Sequence, residues 1–365
     1  MTQAANKQGN TRGAQYLKVV CGIATAVAMS LSASAYGAPA VNAPGPNDAI
    51  YMYKGADRDQ KLVEAAKKEG SVTVYSSLSS GESTPLIAAF EKKYGIKVNF
   101  WRANSDQVAQ RMMTEGQARR YVVDVLETNG SEVEMAARER LLSEFYSPYL
   151  ADLPPDAIAP NRLWVSDRSN FIVVAYNTNK VKRADLPTTY EGFLDPKWKG
   201  QVSIEASDIE WLATIVKKMG NDKGMKFFQA LSATNPQMRA GHILLAQMVG
   251  AGEVPVALTV YNGEVESLKR KGTPIDWAPV QPVVGRPQGM GVAKNAPHPH
   301  AALLFADYVL SPENQMMYAK LGRVPTSTKA KTKLNDFPHV MIDTGAYLDE
   351  SEKWTKLWNE LLMKK

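Results

Sequence analysis

VTVYSSLSSGESTPLIAAFEKKYGIKVNFWR, residues 72–102, decides how this chain folds. Val72 to Tyr75 is a short β-branched and aromatic run bounded by polar residues, which predicts a strand. The Ser- and Gly-rich turn after it places Pro85 in the first turn of an amphipathic helix that ends at Gly95. Lys97 to Trp101 reads as a second strand, and Arg102 to Asp106 as a loop. Gln107 to Arg119 is then a helix, and Val122 to Leu126 a third strand. Strands alternating with helices predict an α/β fold whose mainly parallel sheets are covered on both faces by helices.

Upstream, Asp59 to Glu69 has helical spacing and stops at Gly70. Downstream, Phe171 to Tyr176 (FIVVAY) is an apolar run of strand length, and a second α/β series follows it. Its predicted strands are Val202 to Glu205, Val254 to Val260 and Gly289 to Ala293. Its predicted helices are Trp211 to Met219, Met225 to Leu231, Arg239 to Val249 and His300 to Leu310. The tail from Ser351 to Lys365 reads as a surface helix that packs its stripe of Trp354, Leu357, Trp358 and Leu361.

The N-terminal segment reads as a removable export signal. Lys7, Arg12 and Lys18 are followed by the apolar run Val19 to Leu31, which is too short to span a bilayer, and by Ala33-Ser34-Ala35. Cleavage is expected after Ala35, with a polar, Pro-rich lead over residues 36–47 and export to the periplasm. The only cysteine, Cys21, lies in that segment and lacks the small preceding residue of a lipidation site. The remaining 330 residues therefore hold no thiol, which excludes cysteine nucleophiles, thiolate metal sites and disulfides. Their formal charge falls from +6 to +3 without basic blocks, so nucleic acid is not an expected partner. Single cores stop growing at roughly 250–300 residues, so two lobes are expected.

With the segments in order, the chain resembles the periplasmic solute-binding proteins of ABC importers, in the branch that holds ferric-ion, phosphonate, polyamine and thiamine binders. The resemblance runs through LVEAAKKEGSVTVYSS (62–77), DVLETNGSEVEMAARERLL (124–142), VVAYNTNKV (173–181) and LDPKWKGQVSIE (194–205). It continues through MVGAGEVPVALTVYNGEV (248–265), GMGVAKNAPHPHAALLFADYVLSPENQ (289–315) and GRVPTS (322–327). It implies a type II two-lobed periplasmic-binding-protein fold, closing on its ligand at a hinge. Lobe one is expected over 48–170 plus 285–330, and lobe two over 171–284 plus 331–365. The partners implied are a small solute and the permease and ATPase of an importer, with the receptor a monomer that has no resident cofactor.

Ligands of open α/β sheets sit beyond strand carboxyl ends, beside helix N-termini, so the loops after strands hold the candidates. In lobe one these are Ser76, Ser77, Ser79 and Ser80, with Ser83 as the alternative helix cap. Trp101 and Arg102 could stack on and grip an organic anion, and Glu127, Thr128 and Asn129 follow the third strand. Glu127 has an alternative structural role as the partner of Arg102. In lobe two the candidates are Glu205, Ser207, Arg239, Tyr261 and Asn262, with helix capping as the alternative for Glu205, Ser207 and Asp208. Two ligand classes remain open: ferric iron or an iron complex, held by Tyr261, Glu127, Glu205 and Asp208, and a small organic anion held by Arg102, Arg239 and the Ser-rich helix start. The resemblance implies a Tyr-Tyr pair in ferric binders where this chain reads Val260-Tyr261, and the histidine often found in their first loop is missing from YSSLSSGES. The four histidines, His242, His298, His300 and His339, read as surface or capping residues. GxSxG, HExxH, a P-loop lysine and a strand-linked GxGxxG are all absent, which disfavours a secreted hydrolase. A ligand-presenting sensor subunit is the other alternative.

Overall fold

The computed structural model describes residues 44–363, so the signal segment over 1–35 and most of the expected lead lie outside the described residues. Twelve strands form one sheet: β1 Ser71–Ser76, β2 Lys97–Arg102, β3 Val125–Asn129, β4 Leu142–Ser143, β5 Val165–Asn177 and β6 Val202–Glu205, then β7 Gln237–Arg239, β8 Val256–Tyr261, β9 Ile275–Ala278, β10 Val283–Ala293, β11 Val324–Pro325 and β12 His339–Met341. The main path runs β2-β1-β3-β10-β5-β8-β6-β7. Its outer pairs, β1 with β2 and β3, and β6 with β7 and β8, are parallel. The central pairs β3–β10, β10–β5 and β5–β8 are antiparallel.

That change of direction comes from β5 and β10, which are 13 and 11 residues long. β10 pairs with β3 through Gln288 to Val292 and with β5 through Val284 to Met290, while β5 meets β8 through Ile172 to Tyr176. Each long strand therefore belongs to both halves of the sheet. The ladder between them is irregular at Gln288/Gly289. A Cβ on Gly289 would lie 2.9 Å from the Trp164 ring, so only glycine lets the strand pass this close.

The two largest of four hydrophobic clusters among the described residues flank these crossing strands. One is built from residues between Tyr51 and Val165 together with Met290 to Tyr318. The other joins residues between Ile172 and Val284 with Ile342, Trp354, Trp358 and Leu362. In the second, Trp211 meets Tyr190 and Phe228 edge-on at centroid distances of 5.3 and 5.1 Å. Burying each such side chain stabilises the fold by roughly 1.5–3 kcal/mol or more. The tail stripe packs inward as expected, with Trp354 and Trp358 each 1% exposed and part of this core. The molecule is thus a two-lobed α/β protein, and no helix among the described residues is long and apolar enough to cross a membrane.

Three local expectations need correction. The helix expected to begin near Pro85 starts at Ser80, because Ser79 and Glu82 form a capping box and the Ser79 N–H donates to Glu82 Oε2 at 3.2 Å. Pro85 then lies in the second turn. β3 starts at Val125 rather than Val122, because the buried Asp124 carboxylate accepts from the Thr73 and His298 N–H groups at 2.7 and 2.8 Å. Arg239 ends β7 rather than opening a helix, and that helix runs His242–Ala251.

Candidate functional site

The chain leaves a cleft of about 900 Å³ where loops after β1, β2, β3, β6 and β8 converge on the crossing strands. Among the helices that begin at or beside it are Ser80–Tyr94, Gly130–Arg138, Ile209–Met219, His242–Ala251 and Asn262–Arg270. Four of them carry a glutamate in the first turn, Glu82, Glu132, Glu210 and Glu264, where the helix dipole favours negative charge. The helix starting at His242 has none. Three of these glutamates, Glu82, Glu210 and Glu264, in turn meet arginines.

Arg168 on β5 and Arg286 on β10 are the buried centres of this network. Arg168 donates from Nε to Glu82 at 3.1 Å and from Nη1 to Glu127 at 2.6 Å, with Asp167 3.4 Å away. Arg323 stands 3.2 Å from Glu82 and 2.8 Å from Glu264, tying one end of the cleft together. Burial opposes the charge of Glu82, but Arg168 and Arg323 hold its carboxyl below the usual range. Burial instead pushes Asp167 up to about 7, only partly countered by Arg168.

Arg286 donates from Nη1 to the Tyr261 phenol and from Nη2 to Asp208 at 3.1 Å, and its Nε lies 2.7 Å from Glu210 Oε2. Ser131 donates to the other oxygen of Glu210. Glu132 is pushed up to about 7 by burial and by Glu210, against the pull of Arg286. His242 stacks on Tyr261 with centroids 3.8 Å apart, and its Nε2 lies 3.2 Å from Asp208 Oδ1. Burial disfavours charge on Asp208, yet His242 and Arg286 keep its carboxyl below the ordinary value. Burial raises the Tyr261 phenol although Arg286 lowers it, so this group stays protonated at neutral pH.

Ligand atoms of Glu205, Asp208 and His242 lie within 4.8 Å of one another, the arrangement a metal ion would require. Both oxygens of Glu205 are already engaged, whereas Asp208 has Oδ1 on Arg286 and His242 and a buried Oδ2 without a hydrogen-bond partner. Glu205 Oε2 accepts from the Ser207 N–H and hydroxyl, both at 2.7 Å, and Oε1 accepts from the Gly241 N–H at 2.8 Å. Asp208 and Tyr261 are held by the Arg286 cation, which a ferric ion would have to displace.

Of the residues singled out from sequence, Ser77, Ser79, Arg102, Asn129, Glu205, Ser207 and Tyr261 line the cleft. The others point elsewhere. Ser76 is fully buried, donates to Glu127 and accepts from the Leu78 N–H. Ser80 is the first residue of its helix and does not line the cleft. Trp101 packs edge-on against Tyr75 at 5.1 Å with the Arg111 guanidinium 4.4 Å from its ring, outside the cleft. Glu127 pairs with Arg168 rather than Arg102, and Thr128 is buried with its hydroxyl on Ser77. Asp208 lies behind the lining on Arg286 and His242, and Ser207 serves Glu205 rather than a helix cap. Arg239 turns to Gln237 Oε1 at 2.6 Å, and Asn262 is buried on the Leu334 carbonyl at 2.7 Å.

His242 is the clearest omission, since it is neither isolated nor a surface residue. Arg168, Arg286 and Arg323 were also missed. The available signal was an arginine inside an apolar strand pattern, in VSDRSNFIVVAY and VVGRPQGMGVA, where a buried charge demands partners. The remaining histidines do fill capping or surface roles, His298 on Asp124 at 2.9 Å, His300 on Glu69 at 2.7 Å and His339 on the Phe337 carbonyl at 2.9 Å.

Comparison with known proteins bears on the fold and the family. The chain is 28% identical over 284 residues to iron uptake protein A1 of Synechocystis, covering 73% of this chain and 78% of that protein. Iron-bound HitA from Pseudomonas aeruginosa superimposes with a TM-score of 0.69 at 22% identity, over 80% of this chain and 99% of HitA. The periplasmic binding protein AfuA from Actinobacillus pleuropneumoniae, with exogenous fructose-6-phosphate bound, gives 0.71 at 22% identity, over 81% and 100%. The family model described as bacterial extracellular solute-binding protein matches residues 85–341, and this chain belongs to that family.

Proposed function

We propose that this solute-binding protein works in the periplasm as a monomer without a resident cofactor, closes its lobes on one small organic anion, and hands it unchanged to the permease and ATPase of an ABC importer. The observation that carries the ligand class is the set of four arginines lining the cleft, Arg102, Arg168, Arg286 and Arg323. Arg168 uses Nε and Nη1 on glutamates, and Arg102 spends only Nε, on the Leu78 carbonyl at 3.3 Å, so terminal nitrogens remain for an acidic group. The crossing strands β5 and β10 supply the flexing connection, with the lobes over 48–170 plus 285–330 and 171–284 plus 331–365. The readout is the ligand-induced rise in melting temperature across a panel of carboxylates, phosphonates and phosphorylated sugars. Arg102→Ala is expected to lower the affinity for the bound member at least tenfold, and an unaltered rise would remove Arg102 from the site.

A second reading, cargo ferric iron, draws on the proximity of Glu205, Asp208 and His242 beside Tyr261, and on relatives named for iron uptake. Against it stands the Arg286 cation, which holds the Tyr261 phenol and Asp208. Titration with ferric citrate separates the two, because iron held by Tyr261 develops a tyrosinate-to-iron absorption band that Tyr261→Phe abolishes.

A further inference from the structure

The charges of the cleft do not balance. Four guanidinium groups line it, against six carboxyls: Glu82, Asp106, Glu132, Glu205, Glu210 and Glu264. Behind the lining, Glu127, Asp167 and Asp208 add three more carboxyls, each on Arg168 or Arg286. A site built only for an anion would not carry this surplus, because every extra carboxylate repels the ligand and is itself expensive to bury. The surplus is sharpest around Glu132. One of its oxygens, Oε2, is buried without a hydrogen-bond partner, and the neighbouring Glu210 already divides its two oxygens between Ser131 and Arg286. Burial and Glu210 push Glu132 up to about 7, so a cation placed there would gain by ionising it.

We propose that the ligand is zwitterionic, with a cationic amino group beside its acidic group, and that Glu132 and Glu210 form the subsite that receives the amine. This rests on reading the arginines as the anion-binding end. An ammonium suits the place better than a metal ion. It carries a single charge beside Arg286, and its three N–H donors are satisfied by separate carboxylate oxygens without a closed coordination shell. Met135, Ile243 and Leu244, exposed apolar side chains on the same cleft, offer a surface for the short carbon chain between the two charged ends.

The test is calorimetric titration of the purified protein at pH 7.5 with matched pairs that differ only in the amine: glycine and acetate, β-alanine and propionate, 2-aminoethylphosphonate and ethylphosphonate. The amino member of at least one pair is expected to bind at least tenfold tighter than its partner. Glu132→Gln is expected to reduce that ratio at least fivefold. Glu210→Gln serves as the second variant if the first is poorly folded by melting. Equal or tighter binding of the amine-free members, or a ratio unchanged in both variants, overturns the zwitterion and leaves the anion reading standing. Binding of no member of any pair, together with a colour change on ferric citrate, overturns both.

Discussion

Replacing Glu132 by glutamine should make the ligand-free protein more stable at pH 8 and leave it nearly unchanged at pH 5. The carboxyl rises from 4.5 to about 7 on folding, through burial first and Glu210 second. The unfolded chain therefore binds fewer protons than the native one between those two values, and stability falls as pH rises through that window. A full shift of this size corresponds to roughly 3 kcal/mol at about 1.4 kcal/mol per pH unit, and coupling to Glu210 reduces the share assigned to one residue to about 2 kcal/mol. Glutamine matches the protonated acid in shape and carries no charge, so the variant escapes the penalty above pH 7 and resembles the wild type below pH 5. The assay is melting of both proteins at pH 5 and pH 8, followed by tryptophan fluorescence without ligand. A difference of differences of roughly 3–6 °C in favour of the variant at pH 8 is expected. A variant equally destabilised at both pH values, or one whose advantage appears at pH 5, would refute the assignment of a strained carboxyl at this position.

Two further outcomes follow from the network. Arg168→Met strips Glu82, Glu127 and Asp167 of their shared cation and should cost about 3–5 kcal/mol at pH 8, with a smaller loss at pH 5 where protonation relieves the stranded acids; urea denaturation at the two pH values measures it. Trp101→Phe, which lies outside the cleft against Tyr75 and Arg111, should leave the affinity of whichever ligand binds within twofold while lowering the melting temperature, and a tenfold loss of affinity would return Trp101 to the site.

The alternation of strands and helices was legible because period-2 and period-3.6 patterns depend on which faces are buried, and both faces of this sheet are covered. Strands β1, β2 and β6 stand within a residue of their expected bounds, since each is a short β-branched run flanked by turn residues. The crossing strands were read short. FIVVAY is only the apolar half of β5, and the preceding VSDRSN looks like a loop until its charge is seen to be paired. The same misreading hid Arg286 in β10.

Among site residues, sequence located the loops but not the directions of their side chains. Ser77, Arg102 and Tyr261 face the cleft, whereas Ser76 alternates inward along β1 and Trp101 along β2 packs on Tyr75. His242 looked isolated because its partners, Asp208 and Tyr261, lie 34 and 19 positions away in the chain.

By itself the sequence determined an α/β chain of two lobes whose one cysteine is Cys21, with loops after strands turned to the cleft, because hydrophobic period, turn residues and cysteine count are local properties that need no partner to be read. Only the tertiary structure decided which charges meet. Arg168, Arg286 and Arg323 acquire their carboxylates from helix starts tens to hundreds of residues away, and whether a buried charge is a ligand, a partner or a strain depends on those distances rather than on its neighbours in the chain.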